Sequence, residues 1–142
     1  MTVKWFSVKT LYRTTAKGLP EKPDLSFDPD STLVEERILL IKAHNVREAL
    51  SKAQREAADY ARKRECVNPY NQKMCTTYLG FYDIMELPDN PQDKTEVFSV
   101  TRLISRKITD QKIARIYIGK KHGAQQMIHK KFVNKEYKME EK

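Results

Sequence analysis

The side chains that could do chemistry in this chain are few and scattered: His44, His122 and His129, Cys66 and Cys75, the adjacent Glu35 and Glu36, and Asp83. His122, His129 and Glu136 lie seven residues apart, a spacing that aligns on a helix, but Gly123 makes one continuous helix through all three doubtful. The histidines show no zinc spacing, so the expectation is no metal and no cofactor. Cys66 and Cys75 match neither a zinc knuckle nor a C-x-x-C pair, and they read as reduced thiols of a cytoplasmic protein. The chain has no G-x-S-x-G, no Cys–His arrangement and no P-loop, and four glycines are too few to cradle a phosphate easily. Glu35 and Glu36 are strand neighbours that point to opposite faces, so they form no acid/base dyad with each other. Solvation, or pairing with Arg37 or Arg13, is the expectation for both.

Asp83 carries more information. Strand alternation puts it on a face with Leu79, Phe81, Met85 and Leu87. A carboxylate there needs a partner, because burying an unpaired charge is costly. Arg37 shares a face with Leu39, Ile41 and Ala43, and a structural ion pair between Asp83 and Arg37 is expected. A ligand-binding role for Asp83 is the alternative, since perturbed carboxylates mark both situations.

The elements that must position these groups follow from pattern. Residues 3–13 are aromatic and β-branched and read as a strand; residues 16–32, with Gly18, Pro20, Pro23 and Pro29, read as a loop. Leu33 to Ala43 reads as a central strand buried on both faces. Asn45-Val46-Arg47-Glu48 then opens a helix over Val46–Arg64 through a capping box, with Val46, Ala49, Leu50, Ala53, Ala57, Tyr60 and Ala61 inward. Glu48–Lys52 and Asp59–Lys63 are i,i+4 pairs on its outer face. Residues 65–75 are a connector. Residues 76–87 and 95–104 read as a hairpin around Pro88-Asp89-Asn90-Pro91. Gly80 marks a bulge, or the place where the helix comes closest. Lys112–Ile118 has strand composition, and Ala124–Lys138 reads as a helix with Met127, Ile128 and Phe132 inward. The fold class is therefore α+β: a mostly antiparallel sheet of four or five strands in β-β-α-β-β order, one long helix packed on it, and a basic C-terminal extension. The predicted domain covers residues 1–107, and residues 108–142 form the extension with a docked strand and helix.

Trp5-Phe6-Ser7-Val8, Glu35-Glu36-Arg37 and Leu79-Gly80-Phe81-Tyr82-Asp83-Ile84 resemble the W-[FY]-x-V, E-E-R and G-x-[YF]-D-[IV] motifs of a small bacterial family catalogued as a domain of unknown function. The resemblance covers about residues 3–104. It implies a compact α+β domain and supplies no activity. The 16–32 loop and residues 105–142 look like additions to it.

Charge narrows the partner. The formal net charge is +8, and Arg106–Lys142 hold 11 basic and 4 acidic residues, against near balance before them. A localised basic segment attracts nucleic acid, acidic protein or anionic lipid; a solvated lysine-rich tail is the plainer reading. Lys120, Lys121, Lys130, Lys131, Lys135 and Lys138 interleave with Phe132 and Tyr137, a mixture in which lysines take phosphates and aromatics stack on bases. No aliphatic run is long enough for a signal peptide or a membrane span, so no membrane partner is expected. The expected function is a non-catalytic binding protein that engages nucleic acid through this segment. A small bacterial or phage-borne protein that binds and blocks another protein, of the immunity or anti-defence type, is the alternative, with an acidic surface as its target. An enzyme of unrecognised type ranks last.

Overall fold

The computed structural model describes residues 2–119. They form two units, residues 2–99 and residues 100–119. The first unit holds four strands, β1 (Lys4–Lys17), β2 (Leu33–Ala43), β3 (Cys66–Val67) and β4 (Lys73–Glu86), and the helix α1 (Val46–Lys63) between β2 and β3. The sheet is antiparallel, in the order β2-β1-β4-β3. The α+β class and the antiparallel sheet agree with the sequence pattern.

α1 covers one face of this sheet. Asn45 caps it, its Oδ1 accepting from Glu48 N at 2.8 Å. Glu48 closes no capping box; its carboxylate instead accepts from His44 N at 3.1 Å and meets His44 Nδ1 at 2.9 Å. These contacts, the His44 hydrogen bonds first, hold the Glu48 carboxyl below its usual range. Ala49, Ala53, Ala57 and Ala61 are buried, as the spacing predicts, while Val46 is exposed. The small stripe lets the helix lie close to the sheet. Phe6, Ala43 and Ala49 pack at one end, and Tyr12, Ala57 and Ala61 at the other. On the helix side of β1, Phe6, Val8, Thr10, Tyr12 and Thr14 are buried, while Lys4 and Ala16 at its ends are not.

Four expectations are corrected. β2 is an edge strand rather than a central one, with one face under α1 and Val34, Ile38 and Leu40 exposed on the other. Residues 95–104 form no strand, so there is no hairpin; β4 pairs with β1 along its whole length instead. Residues 97–99 lie as a strap on the uncovered face, where Ser7 Oγ donates to the Val97 carbonyl and Ser99 Oγ meets Met85 Sδ at 3.4 Å. β-Branched composition suits a packed strap as well as a paired strand. The third correction concerns residues 65–75, which are a built corner. Asn68 Oδ1 accepts from Tyr70 N and Gln72 N, its Nδ2 donates to Gln72 Oε1, and Asn71 takes the left-handed conformation (φ 60°). Gln72 Nε2 and Asn71 Nδ2 then tie this corner to Gly18 O and Glu21 Oε1 of the long loop. Last, residues of the expected strand 112–118 belong to a helix, α2 (Asp110–Tyr117), in the second unit. Thr109 caps it by accepting from Lys112 N at 3.2 Å, and Asp110 and Arg115 sit at the ends that suit their charges. Ile113, Ile116 and Tyr117 are spaced i, i+3, i+4, which serves a helix as well as a strand. The helix expected over Ala124–Lys138 lies outside the described residues.

Gly80 sits where β4 breaks register twice against β1, so that Leu79 and Tyr82 are the extra residues. Its φ is +132°, and an added Cβ would meet nothing within 4 Å. Backbone conformation requires the glycine, not a close helix, and the bulge reading holds.

Candidate functional site: the uncovered sheet face

Strand alternation builds this face from the odd residues of β1. Trp5, Ser7, Lys9, Leu11 and Arg13 stand opposite Lys42, Leu40, Ile38, Glu36 and Val34 of β2. The β4 register adds Met85 and Asp83, and the bulge turns Tyr82 to the same side. Each lysine here is associated with a ring. Lys9 Nζ stands 5.1 Å from the Tyr82 ring centre and 4.6 Å from that of Phe98, which the strap supplies. Lys42 Nζ is 5.8 Å from Trp5. Tyr82 is 45% exposed and Ile38 46%, so the rings and the aliphatic strip reach solvent together. Such pairs contribute about 0.5–1 kcal/mol each at exposed sites. Rings that stack on bases and cations that meet phosphates are thus the side-chain types this face presents.

The expected Asp83–Arg37 pair does not form. Arg37 lies on the helix face, and Asp83 lies on the uncovered one, opposite Lys9. Asp83 Oδ1 accepts from Ile84 N at 2.9 Å. Arg37 makes a two-pronged contact with Glu56 of α1, at 3.1 and 3.2 Å, and donates to Tyr12 Oη at 3.1 Å. Its guanidinium also stacks 3.6 Å from the Tyr60 ring centre. Burial acts to lower its pKa, but the bonds to Glu56 and Tyr12 outweigh that and raise it. Tyr60 in turn donates to Glu35 Oε1 at 2.5 Å. Burial first, and Glu35 second, push the Tyr60 hydroxyl up to about 12. Glu35 is therefore bound to a tyrosine rather than to an arginine. This Tyr12–Arg37–Tyr60–Glu56 cluster pins the helix to the sheet, and its cation is already satisfied.

Lys120, Lys121, Lys130, Lys131, Lys135, Lys138, Phe132 and Tyr137, singled out as the binding segment, lie outside the described residues. Cys66 stands opposite Met74 across the β3–β4 ladder, so Cys75 points to the other face of the sheet and the two are not brought together. No group of three metal-ligating side chains occurs among the described residues, and no described helix is long and apolar enough to cross a membrane. Sequence reading missed the ring-and-lysine face. The available signal was the strand pattern Trp5-x-x-x-Lys9, which places an aromatic and a cation on one side.

Fold and face together define a two-layer α+β domain, with the side of the sheet away from α1 crossed, among the described residues, only by the 97–99 strap, under which Ser7 is buried. The chain belongs to the family described as Domain of unknown function (DUF4288), whose model matches residues 5–99. That match spans β1 from Trp5 onward, β2, α1, β3, β4 and the strap, and leaves α2 outside. Comparison with curated proteins and with solved structures gives no match.

Proposed function

We propose that this protein is a non-catalytic binding module that takes single-stranded nucleic acid on the uncovered sheet face. The observation that carries the reading is that Lys9 meets the Tyr82 and Phe98 rings and Lys42 meets the Trp5 ring on the same side of the sheet, at either side of the buried Ser7. Single strands bind by stacking bases on aromatic rings while cations follow the backbone, and stacking contributes about 1–3 kcal/mol per base. Asp83 and Glu36 share the face, so its rings supply stacking more than its charge supplies attraction. In this reading the basic segment from Arg106 to Lys142 meets phosphates in its own right, chiefly through Lys120, Lys121, Lys130, Lys131, Lys135 and Lys138. A second reading, in which the protein binds and blocks an acidic protein, draws support from exposed Val34, Ile38 and Leu40.

Titration of labelled single- and double-stranded oligonucleotides across a salt series separates the two. Nucleic-acid binding gives a linear fall of log K with log salt, with a slope of about −0.7 to −0.9 per phosphate contact. Replacing Lys130, Lys131, Lys135 and Lys138 by Gln flattens the slope by roughly three units. Absence of affinity for either form at about 50 mM salt, where such contacts are strong, ends the nucleic-acid reading.

A further inference from the structure

We infer that β2 is a self-association edge: two copies pair their β2 strands antiparallel about a two-fold axis at Leu39, and the two sheets join into one of eight strands. The inference goes beyond the proposed ligand and shares Lys42 with the face that ligand would use.

Which peptide groups are available follows from the ladder. The Trp5 carbonyl accepts from Leu87 N, on the β4 side of β1. Odd residues of β1 therefore bond toward β4 and even ones toward β2. Phe6, Val8 and Thr10 stand opposite Ile41, Leu39 and Arg37, which spend their peptide groups on β1. Those of Val34, Glu36, Ile38, Leu40 and Lys42 point out of the sheet. Of these only the Lys42 carbonyl has a partner among the described residues, Lys52 Nζ at 2.6 Å, and a carbonyl has a second lone pair. Edge strands of monomeric proteins are usually short, bulged, interrupted by proline or guarded by charge, and the charges of β2 (Glu35, Glu36, Arg37, Lys42) are of both signs and so can pair with a second copy. β2 has 11 residues, no proline and no register shift against β1.

The occupant and the register follow from charge complementarity. Cross-strand neighbours share a face, so a symmetric pairing must centre on one residue. Centred on Leu39, Glu36 meets Lys42 of the second copy, Ile38 meets Leu40, and both contacts occur twice. Centring on Glu36 or Arg37 opposes like charges; centring on Ile38 or Leu40 sets Lys42 against Val34 or Ile38. Only the Leu39 centre matches charge with opposite charge and aliphatic with aliphatic. The outward peptide groups of Ile38 and Leu40, and of Glu36 and Lys42, then bond in closely spaced pairs. Leu39 faces its own copy in the intervening position, where Cα atoms approach to about 4.5 Å. The two-fold axis stands perpendicular to the sheet, so both uncovered faces lie on one side.

Two experiments test this. Sedimentation across a dilution series into the micromolar range should show a reversible monomer–dimer equilibrium. Glu36→Lys should weaken it about tenfold, because two symmetric attractions become repulsions, and Glu36→Lys with Lys42→Glu should restore it. In a background carrying Cys66→Ser and Cys75→Ser, oxidised Leu39→Cys should cross-link between copies, since its Cα separation suits a disulfide. Val34→Cys, equally near the edge but far from its counterpart in this register, should not. A monomer at every concentration overturns the inference. So does a dimer indifferent to the charge exchange, or one that cross-links at position 34 and not at 39.

Discussion

Arg37 shows how one side chain organises the helix side of this domain. It bonds Glu56, bonds Tyr12 and stacks on Tyr60, so three elements meet at one guanidinium. Arg37→Ala should cost about 1–2 kcal/mol in urea unfolding, since it removes the packing on Tyr60 and the bond to Tyr12 along with a half-exposed ion pair. Asp83→Asn should stay within about 0.5 kcal/mol, because Asp83 is exposed and among the described residues bonds its neighbour's amide alone. Tyr60 gives a pH signature. Its folded-state pKa lies above the usual tyrosine value, so its contribution is full below about 10 and is lost as pH rises toward about 12. Stability of the native protein should fall across that window, and Tyr60→Phe should fall less over the same pH range while being less stable at neutral pH. Equal slopes for the two proteins would contradict the Glu35 contact. Tyr78 is the converse case: its buried hydroxyl has no partner among the described residues, so Tyr78→Phe should be neutral or stabilising.

At the scale of elements, β1 and α1 act through the size of the side chains between them. Ala53 is fully buried, and Ala53→Leu should overpack the contact and cost about 1–3 kcal/mol, measured as a lower urea midpoint. This helix was legible in the sequence because its alanine spacing and its Asn45 cap are local signals. β2 was legible as a strand but not as an edge strand, because strand order depends on pairings between distant residues. β4 was read too short, since Lys73 and Met74 look like loop when the Asn68 corner before them is unseen. The strap at 97–99 and α2 were misread for a common reason: isoleucine, valine and threonine describe a half-buried surface before they describe a ladder. The Asp83–Arg37 pairing failed on register. The two bulges around Gly80 and the β1 ladder place the residues on opposite faces, and nothing in their own segments records that. The uncovered face was partly legible, in Trp5 and Lys9. Phe98 joined it only through the strap.

The whole molecule divides its labour between two sheet faces. One is closed by α1 and sealed with alanines and tyrosines. The other carries aromatic rings, lysines and an aliphatic strip to solvent. The formal net charge of +8 is concentrated from Arg106 onward, and localised positive charge attracts anions at long range. Trp5 is the single tryptophan of the chain and stands on that face. Its emission therefore reports directly on the central claim. Addition of a single-stranded oligonucleotide at about 50 mM salt should quench Trp5 in a saturable way, and added salt should reverse it, since phosphate contacts weaken steeply with ionic strength. Lys9→Gln with Tyr82→Ala should weaken the quenching in a protein that still unfolds cooperatively in urea, its stability lowered by about 1–2 kcal/mol through the two lost cation–π contacts. Binding seen by anisotropy with no change at Trp5, or no binding at all, would contradict the assignment of this face.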